Sequence, residues 1–121
     1  MKQFKRSQRL GVQIQKDISG LLEQELSEHF PGMVTFTHVK LSDDLRHANV
    51  YFSYLGSDED RARIEEFFLR ERGRIRSQVG RQIRVRHIPE LNFKFDASVE
   101  HGLRIEQLLN EIHKDNGADG N

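Results

Sequence analysis

Between Leu69 and His87 the chain reads LRERGRIRSQVGRQIRVRH, with arginines at Arg70, Arg72, Arg74, Arg76, Arg81, Arg84 and Arg86 and one acid, Glu71. The planar guanidinium fork bonds two oxygens at once, so this composition suits phosphate better than a lysine-rich run would. If residues 70–84 run as one helix, Arg70, Arg74, Ser77, Arg81 and Arg84 step by 4, 3, 4 and 3 and make a single longitudinal stripe. Arg72 and Arg76 then fall on a flank nearer the apolar face, where their stems can lie on apolar surface with the charge outward. A solvated helix face usually mixes signs at four-residue spacing. Here the arginines repel one another unless another element or a ligand compensates them, and an anionic partner is expected. Phosphate contacts of this kind give affinity and salt dependence rather than sequence choice.

The whole chain carries 19 basic and 19 acidic side chains, so its sum of zero would argue against nucleic acid. Binding follows local potential, and the charge is segregated: SDEDRARIEE at 57–66 is acidic, while residues 70–86 are basic. Lys2, Lys5, Arg6 and Arg9 add a second basic group at the N-terminus. The alternative reading is a protein–protein adaptor docking its arginine face on an acidic partner, with its own acidic segment even allowing head-to-tail association.

Catalytic and metal chemistry finds no support. The chain has no cysteine, which excludes disulfides and cysteine-ligated zinc or iron–sulfur sites. His29, His38, His47, His87, His101 and His113 form no compact ligand spacing. Asp43-Asp44 and Glu65-Glu66 are adjacent pairs whose side chains diverge, and no GxSxG, GxxxxGK[ST] or GxGxxG is present. No cofactor, no metal and no enzymatic activity are expected. The basic N-terminus lacks the apolar run of a signal peptide, and no segment is long enough to cross a membrane, so a soluble cytoplasmic protein is expected, and a monomer is the expected state.

The elements that must position the arginines can be read from periodicity. Leu10, Ile14, Ile18, Leu21, Leu22 and Leu26 line one face of a helix from Ser7 to about Phe30, stopped by Pro31-Gly32. Gly11 and Gly20 within it either admit another backbone or are simply tolerated. MVTFTHVKL (33–41) and HANVYFSYL (47–55) read as strands joined by the polar SDDLR turn, an antiparallel hairpin. Ala48, Val50, Phe52 and Tyr54 form the apolar face of the second. A helix follows, capped by Ser57 or Asp58, with Ile64, Phe67 and Phe68 buried. Gly73 is read as a bend before a further helix built on Ile75, Val79 and Ile83. RVRHIPELNFKFD returns to extended chain, and Ser98 opens a C-terminal helix carrying Ile105, Leu108, Leu109 and Ile112. Phe36, Phe52, Phe67 and Phe68 sit at core periodicity, leaving Tyr51 as the better exposed aromatic. The expected organisation is one domain over residues 1–114 and a flexible tail at 115–121.

Two stretches carry a resemblance. LSDDLRHANVYFSYLG, with Ser42, Asp44, Leu45, Arg46, Ala48, Val50 and Tyr51 in place, resembles one signature of ribosome-binding factor A. RVRHIPELNFKFDASVEHGLRIEQLL is similar to a second, through Arg86, Pro89, Glu90, Leu91, Phe93, Asp96 and Gly102. RLGVQIQKDIS and GRIR fit as well, and the resemblance spans about Arg6 to Ile112. It implies an α+β fold of type II KH-like form, helix–strand–strand–helix–kink–helix–strand plus a C-terminal helix, with helices on one face of a three-stranded sheet. It also implies binding to the immature 30S ribosomal subunit and its 16S rRNA, including precursor, assistance in late maturation, a part in cold adaptation, and a GTPase assembly factor as partner. The GxxG loop of most KH domains is absent. The family's alanine–x–glycine kink reads Glu71-Arg72-Gly73 here, and the glutamate could pair with Arg74 or Arg76 or cap the following helix. The residues expected on RNA are Arg70, Arg74, Arg76, Arg81, Arg84 and Arg86 with Lys5, Arg6 and Arg9.

Overall fold

The long apolar stripe of the N-terminal segment forms α1, Lys2–His29, and it buries Ile14, Ile18, Leu22 and Leu26. The helix starts five residues before the first periodic position expected, at Lys2 rather than Ser7. In this computed structural model, residues 2–98 are described together with Leu108 and Leu109, for residues 2–5 as backbone only. The expected C-terminal helix beyond Ser98, apart from those two leucines, and the tail at 115–121 lie outside the described residues.

Strands β1 (Met33–Leu41) and β2 (His47–Leu55) pair antiparallel, and β3 (Glu90–Phe95) adds parallel to β2, giving the order β1-β2-β3. A parallel neighbour needs a crossover, and α2 (Asp58–Gln82) supplies it. Ser57 caps α2 by accepting from the Asp60 backbone N–H at 3.1 Å, and Asp58, Glu59 and Asp60 lie at the positive end of its dipole.

Alternation puts Phe36, Ala48, Val50, Phe52, Leu91 and Phe93 on the face covered by both helices. Phe68 of α2 sits at the centre, stacked on Phe93 with centroids 4.2 Å apart and tilted against Phe36 and Phe52. Gly11 permits the close packing of α1 on β1, since a Cβ there would lie 2.9 Å from the Val39 carbonyl oxygen. A register shift between Phe36 and His38 marks a bulge in β1. Gln15 of α1 satisfies the carbonyls around it, donating to Phe36 O at 2.9 Å and Thr37 O at 3.1 Å.

The expected division at Gly73 is not what forms. α2 runs unbroken through it, and its buried residues Ile64, Phe67, Phe68, Ile75 and Val79 make one continuous stripe. The glycine penalty of roughly 1 kcal/mol is outweighed by that stripe and by good helix formers on both sides. The KH-like α+β arrangement holds, with two helices rather than three among the described residues preceding the C-terminal segment.

Candidate nucleic-acid interface

The arginines of 70–86 do not form one stripe, because α2 ends at Gln82 and Ile83 turns extended. Arg84 and Arg86 therefore stand in the connection to β3, and only Arg70, Arg72, Arg74, Arg76 and Arg81 are helical.

Two helical arginines are tied into the fold. Arg74 Nε donates to Glu71 Oε2 at 2.8 Å, one terminal nitrogen to Glu25 Oε2 at 2.8 Å and the other to Gln78 Oε1 at 3.3 Å. The Glu71 and Glu25 hydrogen bonds hold the Arg74 guanidinium above its ordinary pKa. Glu25 is the compensating acid from another element, 49 positions away in sequence and therefore invisible to local pairing rules. Of the roles open to Glu71, pairing with Arg74 is the one it takes, while Arg70 passes 3.9 Å from it. Arg76 donates to Ile88 O at 2.6 Å and from Nε to Pro89 O at 3.2 Å, fastening the segment that leads into β3.

Four other arginines gather at a corner. Arg6 of α1, Arg46 of the β1–β2 turn, and Arg84 and Arg86 line one cavity of about 440 Å³ together with Leu10, Leu45 and Val85. None of these four arginines makes an ion pair or side-chain hydrogen bond with another described residue. A neighbouring cavity of about 420 Å³ shares Arg46 and His87 and extends towards Arg76 and Glu90. Arg81 and Arg72 are exposed on α2, and Arg9 is exposed on α1 beside Gln8, Val12 and Gln13, away from the corner. The side chain of Lys5 lies outside the described residues.

The signature turn sets the geometry of this corner. Leu45 N–H donates to Ser42 O at 2.9 Å, Asp44 Oδ1 accepts from Ser42 Oγ at 2.6 Å and from Arg46 N–H at 3.0 Å, and Ser42 Oγ accepts from His47 N–H at 3.1 Å. The Ser42 hydroxyl, and then the Arg46 N–H, hold the Asp44 carboxyl below its ordinary value, so it is ionised at neutral pH. Leu45 adopts φ 60°, the left-handed region that leucine rarely occupies. Such a conformation persists only where its surroundings over-determine it. Glu90 N–H donates to Arg46 O at 2.8 Å, so the entry of β3 holds the turn from the other side. The sequence named the turn and the arginines but missed Leu10, Val85, His87 and Glu25, whose roles follow from topology rather than from any local pattern.

On the sheet face opposite the helices, His38 stacks on Tyr51 with centroids 4.2 Å apart and ring planes 12° from parallel. Tyr51, the aromatic expected to be better exposed, is half-buried, partly covered by a neighbour of its own sheet.

The family profile described as ribosome-binding factor A matches residues 6–109. A ribosome-binding factor A of Geobacter sulfurreducens is 38% identical over 96% of this chain and 98% of its own length. One from Citrifermentans bemidjiense is 44% identical over 89% and 91%. A solution structure of a Thermotoga maritima protein assigned to ribosome binding factor A is similar with a TM-score of 0.62 at 35% identity, covering 74% of this chain and 85% of that one. The crystal structure of ribosome-binding factor A from Thermus thermophilus shares the fold with a TM-score of 0.58 at 22% identity, over 73% and 93%.

Proposed function

The chain belongs to the ribosome-binding factor A family, and from that premise we propose that it is a non-catalytic RNA-binding factor of the bacterial cytoplasm that acts as a monomer on the 30S ribosomal subunit. It binds the immature subunit through 16S rRNA, including its precursor, and assists the late steps of its maturation, in the cold among other conditions. A GTPase assembly factor is the partner that promotes its release.

The observation that carries the RNA reading is the corner of Arg6, Arg46, Arg84 and Arg86. Four arginines from three separate parts of the chain line one concavity, and the one carboxylate beside them among the described residues, Asp44, offsets only part of their charge. Like charges assembled at that cost favour a polyanion, and the arginine fork favours phosphate over carboxylate-bearing surfaces of low charge density. Residues tied inward, Arg74 and Arg76, support the scaffold, and exposed Arg70, Arg81 and Arg9 extend the field.

Co-sedimentation with purified small subunits tests this. Association should weaken steeply between about 50 and about 200 mM salt, as expected when phosphate contacts displace counterions. Binding indifferent to salt, or binding retained by ribosomal proteins after the RNA is digested, would count against RNA as the partner.

A further inference from the structure

The corner cavity is more than a phosphate cradle, because its lining is not basic alone. Its lining combines Arg6, Arg46, Arg84 and Arg86 with the apolar Leu10, Leu45 and Val85, the acidic Asp44 and His87. An anion-only site has no use for an ionised carboxylate. Asp44 spends Oδ1 on the turn, while Oδ2 makes no hydrogen bond among the described residues. An apolar lining is equally idle against the backbone of a duplex, which presents only phosphate and sugar to such a depth.

We propose that this cavity receives a single unpaired nucleotide of RNA, its base lying on Leu10, Leu45 and Val85, its phosphate on the arginines, and a base N–H donating to Asp44 Oδ2. The arginines, the apolar side chains and the carboxylate are then all used. A base supplies a flat apolar face and N–H donors, and its own phosphate supplies the charge. The requirement that the base be unpaired follows from the apolar lining, since stacking within a duplex covers the flat faces of a paired base. A volume of about 440 Å³ holds one nucleotide and not a base pair with its two backbones. The left-handed Leu45 fits this use, for the strained backbone presents its side chain in the cavity lining.

This inference rests on the RNA reading above, and the test separates the two. The full chain is titrated against three RNA hairpins that differ at one position: fully paired, carrying one bulged purine nucleotide, or carrying the same bulge without its base. The bulged hairpin should bind about tenfold tighter than the other two, the scale of one base packed on a protein surface. Filling the cavity with Val85→Trp should reduce affinity for the bulged hairpin about tenfold. Equal affinity of the unaltered protein for all three hairpins overturns the nucleotide pocket while upholding RNA binding. Absence of binding to any of them at low salt overturns the RNA reading itself. The hairpin series needs no variant, so it decides even if the tryptophan disturbs the turn.

Discussion

The second half of α2 and the corner beside β3 hold arginines at similar density in the sequence, yet the fold treats them oppositely. On α2, Arg74 is held by Glu25, Glu71 and Gln78, and Arg76 by two backbone carbonyls. At the corner, Arg46, Arg84 and Arg86 are left to solvent with Arg6. Charge density along a sequence therefore does not measure potential at a surface. What separates the two regions is whether acids from other elements reach them: α1 brings Glu25 to the helix, while the one carboxylate lining the corner cavity among the described residues is Asp44, already committed through one oxygen to its own turn.

That contrast can be broken at several points. The largest effect should come from Arg84→Glu with Arg86→Glu, which ought to lower affinity for small-subunit RNA by more than about a hundredfold and flatten the salt dependence. Thermal unfolding should barely move, because neither side chain has a hydrogen-bond or ion-pair partner among the described residues; a double variant that binds normally would dissolve the distinction between the regions. Arg74→Ala should do the reverse. It leaves Glu25 and Glu71 facing each other without their cation and should cost about 1 kcal/mol in denaturant unfolding, with RNA affinity within about twofold.

Gly73→Ala sharpens the same point. Nothing lies within 4 Å of a Cβ at this position, and the helix is continuous there, so the variant should gain about 0.5–1 kcal/mol of stability. A loss would mean that the chain bends at Gly73 in solution. The smallest effect is in the signature turn. Because the folded-state pKa of Asp44 lies below its unfolded value, the turn's stabilisation is fully present above the usual carboxylate range and is lost as pH falls through the lower folded value. Amide exchange at Arg46 and His47, corrected for intrinsic rate, should therefore accelerate only at strongly acidic pH, and in Asp44→Asn that acid-dependent step should vanish.

Much of the fold could be read before any coordinates. The helical stripes of Ile14, Ile18, Leu22 and Leu26 and of Ile64, Phe68, Ile75 and Val79, and the alternation of Ala48, Val50, Phe52 and Tyr54, specify buried faces by period alone. The Ser42–Arg46 turn was legible because its hydrogen bonds are local. Two things were not. Gly73 read as a break because a glycine's propensity is visible locally, whereas the tertiary burial that overrides it is not. The corner read as part of a helical stripe because Arg84 has the right spacing from Arg81, and only the end of α2 at Gln82 removes it. Convergence of Arg6, Arg46 and Arg86 depends on the parallel docking of β3, which no local window contains.

The parallel pairing of β3 with β2 also has a kinetic side. Ala48 meets Leu91 and Phe52 meets Phe95 only after the whole of α2 has been threaded between them, which makes this the most distant strand contact in the sheet and slow to close. The hairpin and α1 can assemble from residues already synthesised, but the arginine corner cannot, because Arg84 and Arg86 arrive with β3. The corner is consequently assembled only once β3 has been made, and a chain cut short before Glu90 lacks the strand pairing that brings Arg84 and Arg86 to Arg46.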